Sequence, residues 1–449
     1  MRPRTDVTVV TIGQPDHAVC ALNEETLKMQ TAQPPHLIRD ALLTGSLTRL
    51  PLQTTSAIVA GITILLLSAL AAVPAHSQQF LGFSDNVPYS TQGNSPSVAV
   101  YGGEVIEVRN ATQDGGLVYK VGRIKKSGND ESRTREPTIV WGPDMDLCPQ
   151  GVSKCSFGYN PSVSMTPTSS GMLVIVVYNV NHGAGAINYC SGFLVRAEVA
   201  GQVSWNCNTL VGQGYNPSVA LVSVPCLSSG SAPDCVQGLA VEVHNASAGV
   251  SPVLFSIAAQ SANSAAFSWP GMGLPFDENG GNPTVAAHLV SQGSGAGDLE
   301  VVEVDNSSDI FGELGYRTGF VDLTHKPVQL AIHWAKKPTN IHSVSGQNPR
   351  IAYNGNFLIE VYNGVERAGP LWYRLGSLDH NFGQAGPDFF GPAASWNASQ
   401  LYQNCGYNPS VAIDPIAEGQ SLASVIEVHN GGSCEPVSYH LERQEISRP

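Results

Sequence analysis

Charge is scarce in this chain, and basic charge is the scarcer kind. Of 449 residues only 13% are Asp, Glu, Lys or Arg, and 36 acidic against 23 basic residues leave a net charge of −13. That balance excludes the electrostatic footprint of a nucleic-acid-binding protein and argues against anionic membrane surfaces. No basic patch with interleaved aromatics offsets it. The signatures HExxH, GxSxG and the P-loop are missing too. Metal-binding C-x-x-C spacing is absent, so no metal and no cofactor is expected. Gly293-Ser294-Gly295-Ala296-Gly297 reads as a flexible hairpin tip, not a phosphate cradle. Residues 1–56 show no apolar periodicity and no repeat.

One long apolar run exists, from Ala57 to Val73, and it contains no charge. Pro74-Ala75-His76-Ser77 follows, where Ala75 and Ser77 fit the small-residue rule of a cleavage site, and Arg39 and Arg49 stand upstream. The stretch reads as a secretory signal within a leader of residues 1–77. The alternative is a single membrane anchor, for which the run from Ala57 to Val73 is at the lower edge of length. The long leader leaves Met29 open as the true start. Removing residues 1–77 takes away five basic and five acidic residues, so the remainder still carries −13.

Cysteine usage fits export. Cys20 lies in the leader, and an even eight follow: Cys148, Cys155, Cys190, Cys207, Cys226, Cys235, Cys405 and Cys434. That count points to disulfides in an oxidising, extracytoplasmic compartment. Neighbours in sequence should pair: Cys148–Cys155, Cys190–Cys207, Cys226–Cys235 and Cys405–Cys434.

What the chain has in abundance is glycine (46), proline (30) and repetition. Gly-Tyr-Asn-Pro-Ser-Val, followed by Ser or Ala, occurs at Gly158–Ser164, Gly214–Ala220 and Gly406–Ala412. Degenerate copies begin at Asn94, Gly281 and Gly346. The prolines of the six copies are Pro96, Pro161, Pro217, Pro283, Pro349 and Pro409, which follow one another at near-constant steps. Regular spacing of this size marks a repeat architecture. Each copy is followed by a β-type run ending in asparagine, such as Val241-Glu242-Val243-His244-Asn245 and Ile426-Glu427-Val428-His429-Asn430. The terminal Asn reads as a turn former. A third run follows (Leu117-Val118-Tyr119-Lys120 in the first repeat), and a fourth is marked by Trp141, Trp205, Trp269, Trp334 and Trp396.

Four strands per unit predict an all-β fold, a six-bladed β-propeller over residues 78–449. The sixth repeat lacks a tryptophan strand, and Phe80-Leu81-Gly82-Phe83-Ser84 precedes the first repeat. That N-terminal strand is expected to complete the last blade and close the ring, with Phe83 near the Trp position. The repeats resemble those of secreted propeller proteins, some of them lectins, that repeat a Pro-Ser-Val-Ala strand and a Val-Glu-Val-His strand. The resemblance spans roughly residues 80–443 and implies architecture; no binding residue is carried over from it.

Five second strands carry Glu (Glu107, Glu242, Glu303, Glu360, Glu427), and four have Lys120, Arg317, Arg374 or His440 at 13 or 14 positions later. Cross-strand charge pairs follow from that spacing. Recurrence in nearly every repeat argues for construction rather than a glycosidase acid/base pair. The position two after the Glu varies and shares an expected rim with the Gly-Tyr-Asn turns. Tyr159, Asn160, Tyr215, Asn216, Tyr407 and Asn408, with His244 and His429 alongside, would then form several aromatic-plus-polar pockets between blades, suited to sugar rings. The competing reading has the tyrosines packing on the next blade and the Asn residues capping turns. Four Asn-x-Ser/Thr sequences, at Asn110, Asn245, Asn306 and Asn397, match the glycosylation pattern, and three of them use the turn Asn. The expectation is a secreted, multivalent carbohydrate-binding protein with glycans on a surface as partners. A glycan hydrolase or lyase on the same scaffold, and a structural adhesion protein, are the alternatives.

Overall fold

In the computed structural model, the described residues are 83–445 apart from 91–92, 113–114, 126–136, 148–157, 196–200, 228–234, 262–263, 271–272, 291–297, 307–311, 324–329, 336–338, 356, 365–368, 379–393, 415–421 and 432–436. The leader, its apolar run, Phe80–Gly82, Cys148, Cys155 and Cys434 lie outside them. The described residues form 24 strands and no helix. No helix among them is long and apolar enough to cross a membrane.

Every repeat begins at its Asn-Pro copy with an innermost strand. These are Asn94–Tyr101, Tyr159–Thr168, the second half of Gln202–Pro225, the second half of Leu274–Val290, Gln347–Tyr353 and the end of Gln400–Ile413. The run ending in Asn pairs antiparallel with it, and the third strand pairs with that run in turn. Strand ladders gather the strands into three sheets of eleven, eight and five, between which single main-chain bonds run from the Gly158 amide to the Gly115 carbonyl at 2.7 Å and from the Gly346 amide to the Gly312 carbonyl at 3.4 Å. Within the larger two, single strands such as Gln202–Pro225 serve one repeat at their start and the next at their end.

Side chains make the remaining junctions. The innermost strands do not hydrogen-bond through their backbones. Instead, the Val163, Val219 and Val285 amides donate to the hydroxyls of Ser97, Ser162 and Ser218 of the preceding repeat at 3.0, 3.1 and 3.2 Å. Val98 of the first repeat donates likewise to Ser410 of the sixth, at 3.2 Å. Apolar side chains collect at each junction between successive repeats. The sixth-to-first junction holds Val98, Val105, Ala412, Ile426, Tyr439 and Leu441. At the outer side an aromatic of each third strand meets the marker ring of the following repeat edge-on. The pairs are Tyr119–Trp205, Tyr189–Trp269, Phe255–Trp334, Tyr316–Trp396 and Tyr439–Trp141, at 5.4–6.0 Å. Tyr373 of the fifth repeat has no tryptophan ahead of it and meets Phe83, at 5.3 Å.

The N-terminal strand differs from expectation. Phe83 takes the ring position, but the residues that pair with the third strand of the last repeat are Val87–Ser90, in register Val87 with Tyr439 and Pro88 with Ser438. The first, fourth and fifth repeats show why. Their outer strand breaks after the tryptophan and resumes a few residues on, as Thr138–Trp141 then Met145–Asp146, or Ala394–Trp396 then Gln400 onward. Trp269 lies outside any strand, next to a lone bridge between Gln260 and Phe267.

The strand-ending asparagines are latches rather than turn formers. Asn179, Asn245 and Asn363 donate from Nδ2 to the carbonyls of Gly214, Gly280 and Gly406 in the next repeat, at 2.9, 2.8 and 3.0 Å. Asn110 and Asn306 do the same to Gly158 and Gly346, and Asn430 reaches Asn94 Oδ1 at 3.2 Å. The Oδ1 atoms of Asn179, Asn245 and Asn363 accept from the amides of Asn216, Asn282 and Asn408 at 2.9, 3.1 and 3.2 Å. Asn110, Asn245 and Asn306 are thereby buried, closed to the glycosylation their sequences match, whereas Asn397 is exposed. Two of the expected disulfides are present, Cys190–Cys207 and Cys226–Cys235. The pairs Cys148–Cys155 and Cys405–Cys434 involve residues outside the described set.

A latch satisfies one buried carbonyl and one buried amide at once, and each costs about 1–3 kcal/mol when abandoned. Asn245→Ala is therefore expected to lower the urea unfolding free energy by about 2–4 kcal/mol, where an exposed Asn such as Asn397→Ala changes it by less than about 0.5 kcal/mol.

Candidate axial binding site

The residue before each repeat proline has a left-handed backbone. Ser95, Asn160, Asn216, Asn282, Asn348 and Asn408 all have φ between 48° and 51°. Asn tolerates this region better than other residues with a side chain, which accounts for its recurrence. The turn aims the six side chains at one another. Asn160 Nδ2 donates to Asn216 Oδ1 at 2.5 Å, and Asn216 donates in turn to Asn282. Asn348 Nδ2 donates to Asn408 Oδ1 at 2.9 Å, and Asn408 Nδ2 to Ser95 Oγ at 3.1 Å.

This chain of amides surrounds a cavity of about 550 Å³, to which all six repeats contribute. Tyr215 and Tyr407 stand in its wall with Gly281 and Gln347, their counterparts in degenerate repeats. A second cavity of about 300 Å³ is lined by the apolar positions that follow, including Val98, Val163, Val219, Val285, Ile351 and Val411. No carboxylate and no histidine lines the amide-ringed cavity among the described residues. Its one cation among them is Arg350, which stands where the other repeats have Ser97, Ser162, Ser218, Thr284 and Ser410. Arg350 has no ion pair among the described residues, only a 3.4 Å contact to the Pro349 carbonyl. Burial pushes its guanidinium down to about 10, which leaves it cationic at neutral pH.

Five of the eight sequence-predicted site residues meet in this cavity: Asn160, Tyr215, Asn216, Tyr407 and Asn408. They share a single space rather than separate pockets between repeats. Tyr159 is not among its lining residues; its ring packs on His182 at 3.6 Å. His244 and His429 are wholly buried and do not reach the rim. His244 Nδ1 donates to both Glu242 oxygens at 3.0 Å, and His429 Nδ1 to Glu427 Oε2 at 3.0 Å. The variable position points inward at every repeat, beneath the glycine three residues before the proline. A Cβ on Gly93, Gly158, Gly214, Gly280, Gly346 or Gly406 would press on Arg109, Tyr178, His244, Asp305, Tyr362 or His429. Arg350 and the glycine series escaped the sequence reading, although both were visible as a break in, and a constant of, the repeat alignment.

The cross-strand partners stand opposite as the spacing implies: Glu107 with Lys120, Glu303 with Arg317, Glu360 with Arg374 and Glu427 with His440. Among the described residues only Glu360 and Arg374 form the expected ion pair. Glu107 is held by Arg109 at 2.7 Å while Lys120 turns to Asp144, and Arg317 pairs with Asp277 at 2.7 Å. All five Glu side chains are buried, so these are interior charges. In the second repeat both halves are replaced together, with Val176 opposite Cys190.

No family model matches the chain, and no curated protein matches its sequence. Among solved structures it is similar to the fucose-specific lectin from Aleuria aurantia, with 9% identity, 81% of this chain and 99% of that one covered, and a TM-score of 0.41. It is similar also to Trypanosoma rangeli sialidase in complex with sialic acid, with 8% identity, coverage of 82% and 58%, and a TM-score of 0.38. An exo-1,5-alpha-L-arabinanase from a bovine ruminal metagenomic library gives 9% identity, coverage of 81% and 95%, and a TM-score of 0.34. A lectin, a sialidase and an arabinanase stand side by side, so the likeness does not choose between binding and hydrolysis.

The buried carboxyls set a pH dependence. Desolvation, opposed by Arg109, pushes Glu107 up to about 7; burial with the charges of Asp305 and Asp277 raises Glu303, and burial with the Asp277 charge raises Asp305. A carboxyl whose folded pKa lies above its unfolded value stabilises the fold fully below the unfolded pKa, about 4.3 for Glu, and loses that contribution as pH rises through the folded one. Urea midpoints are expected to fall between pH 5 and 8, and Glu107→Gln to flatten the part of that decline near pH 7.

Proposed function

We propose that the six repeats form a closed six-bladed propeller and that the protein is secreted and binds a glycan in the axial cavity. The observation that carries this reading is the lining itself: two tyrosines and a ring of carboxamides around about 550 Å³. A cavity of that size, with apolar faces and a few oriented polar groups, suits a small ligand. Tyrosine rings can stack on the apolar face of a sugar while carboxamides exchange hydrogen bonds with its hydroxyls. The closed arrangement is supported by the serine bridge, the apolar cluster and the Tyr439–Trp141 contact that tie the sixth repeat to the first. Disulfides support an oxidising compartment.

Glycoside hydrolysis generally needs two carboxyl groups flanking the scissile bond. The described lining offers none, which favours binding over cleavage at this place. The cavity is one site per chain, fed by every repeat. Arg350 gives it a single positive charge, so a glycan bearing a carboxylate or sulfate is preferred to a neutral one.

A glycan array tests the reading. Retention of acidic glycans is expected, with Tyr215→Ala and Tyr407→Ala each weakening it roughly three- to tenfold. Arg350→Ser, which restores the residue of the other repeats, should remove the preference for acidic over neutral ligands while folding normally. Failure to retain any glycan, or unchanged binding in both tyrosine variants, would replace this reading with a structural or adhesive role.

A further inference from the structure

Arg350 breaks a second regularity besides charge. In the other repeats the residue after the repeat proline is Ser97, Ser162, Ser218, Thr284 or Ser410. Four of these hydroxyls share one task. Ser97, Ser162, Ser218 and Ser410 accept the amide hydrogens of Val163, Val219, Val285 and Val98 in the next repeat around. Those amides face away from the second strand, at positions that an antiparallel ladder leaves unbonded. Val411 of the sixth repeat keeps the same register, opposite Glu427 as Val98 is opposite Glu107 and Val285 opposite Glu303. The repeat before it offers no hydroxyl. It offers Arg350, whose side chain has donors only.

Two groups are thereby left short of an acceptor. The Val411 amide has lost the hydroxyl that its counterparts use, and Arg350 has only the 3.4 Å contact to the Pro349 carbonyl. Arg350 is incompletely covered by protein. The space it is open to is the amide-ringed cavity, whose described lining holds no carboxylate. Arg350 lines that first cavity and Ile351 the second, just as Pro409 lines the first and Val411 the second. Both orphaned donors thus stand on neighbouring repeats where one cavity gives way to the other. An unpaired guanidinium inside a protein is costly, and so is an unbonded amide. One anion relieves both. The planar fork of arginine matches two oxygens of a single group, and a sulfate or phosphate keeps a third for the amide.

We propose that Arg350 and the Val411 amide form an oxyanion site between the two axial cavities, held by free sulfate or phosphate until an acidic ligand displaces it. The site gives the protein a means of regulation. A free oxyanion competes with the acid group of a ligand for the same guanidinium and leaves neutral ligands alone. The anion site stands without the glycan reading, whereas the competition rests on it.

The test uses purified full-length protein freed of multivalent anions, then titrated with sodium sulfate or sodium phosphate at constant ionic strength, with chloride as the balancing anion. A saturable rise of the thermal midpoint by roughly 1–4 °C is expected. Arg350→Ser removes the cation and returns a hydroxyl to Val411. It should lose the saturable shift and, without sulfate, unfold at or above the midpoint of the anion-free parent. Arg350→Ala removes the cation without returning the hydroxyl, and should unfold below Arg350→Ser. No saturable shift in the parent, or the parental shift kept in Arg350→Ser, would overturn the site. Equal midpoints for the serine and alanine variants would overturn the part given to the Val411 amide. On a glycan array, sulfate at constant ionic strength should lower retention of acidic glycans severalfold and leave neutral ones unchanged; undiminished retention would overturn the competition. The thermal titration contains no glycan, so an array that retains nothing sinks the glycan reading and leaves the anion site intact.

Discussion

One carboxamide per repeat holds the next repeat in place. The asparagine that ends each second strand gives its Nδ2 hydrogens to the neighbouring Gly-x-Asn turn, and in three repeats its Oδ1 takes that turn's amide hydrogen. The left-handed residue of that turn breaks the register of the ladder and diverts the chain toward the centre of the molecule. Without the latch, a carbonyl and an amide would be buried unpaired. The position of the innermost strands, the direction of the six inward side chains and the cavity they ring all depend on this bond.

The glycine of the same turn explains the freedom of the position beneath it. Arg109, Tyr178, His244, Asp305, Tyr362 and His429 differ in size and charge, yet each fits because no Cβ stands above it. This interior slot is where the repeats diverge. It holds an Arg–Glu pair in the first, a His–Glu pair in the third and sixth, and uncharged tyrosines in the second and fifth. Buried charges of this kind add little net stability, but removing one partner alone is expensive. In the second repeat both halves are replaced, as Val176 opposite Cys190, whereas in the third Glu242 is kept opposite Ser256.

Repetition makes the scaffold, and its exceptions make the chemistry. The amide ring is a product of near-identical repeats; Arg350 is its charged break among the described residues. His440 is a second break, where a lysine or arginine position becomes an imidazole next to a buried carboxylate oxygen without a partner. The buried carboxylates of the regular repeats keep an unpartnered oxygen as well, at Glu107, Glu303 and Glu360.

Much of the architecture was legible in the chain. The proline phase and the alternating runs foretold an all-β chain of repeated antiparallel strands, and the missing sixth tryptophan an N-terminal segment reaching the last repeat, since period and alternation are local properties of sequence. The near-constant separation of carboxylate and cation along the chain foretold which positions face each other, because antiparallel register follows from loop length. Direction did not follow. Tyr215 and Tyr407 line the axial cavity while Tyr159, in the same motif, packs on His182. His244 and His429 turn inward to carboxylates rather than outward to solvent. Which of several partners a side chain takes is settled by groups from other repeats, far away along the chain, and only the folded arrangement brings those groups within reach.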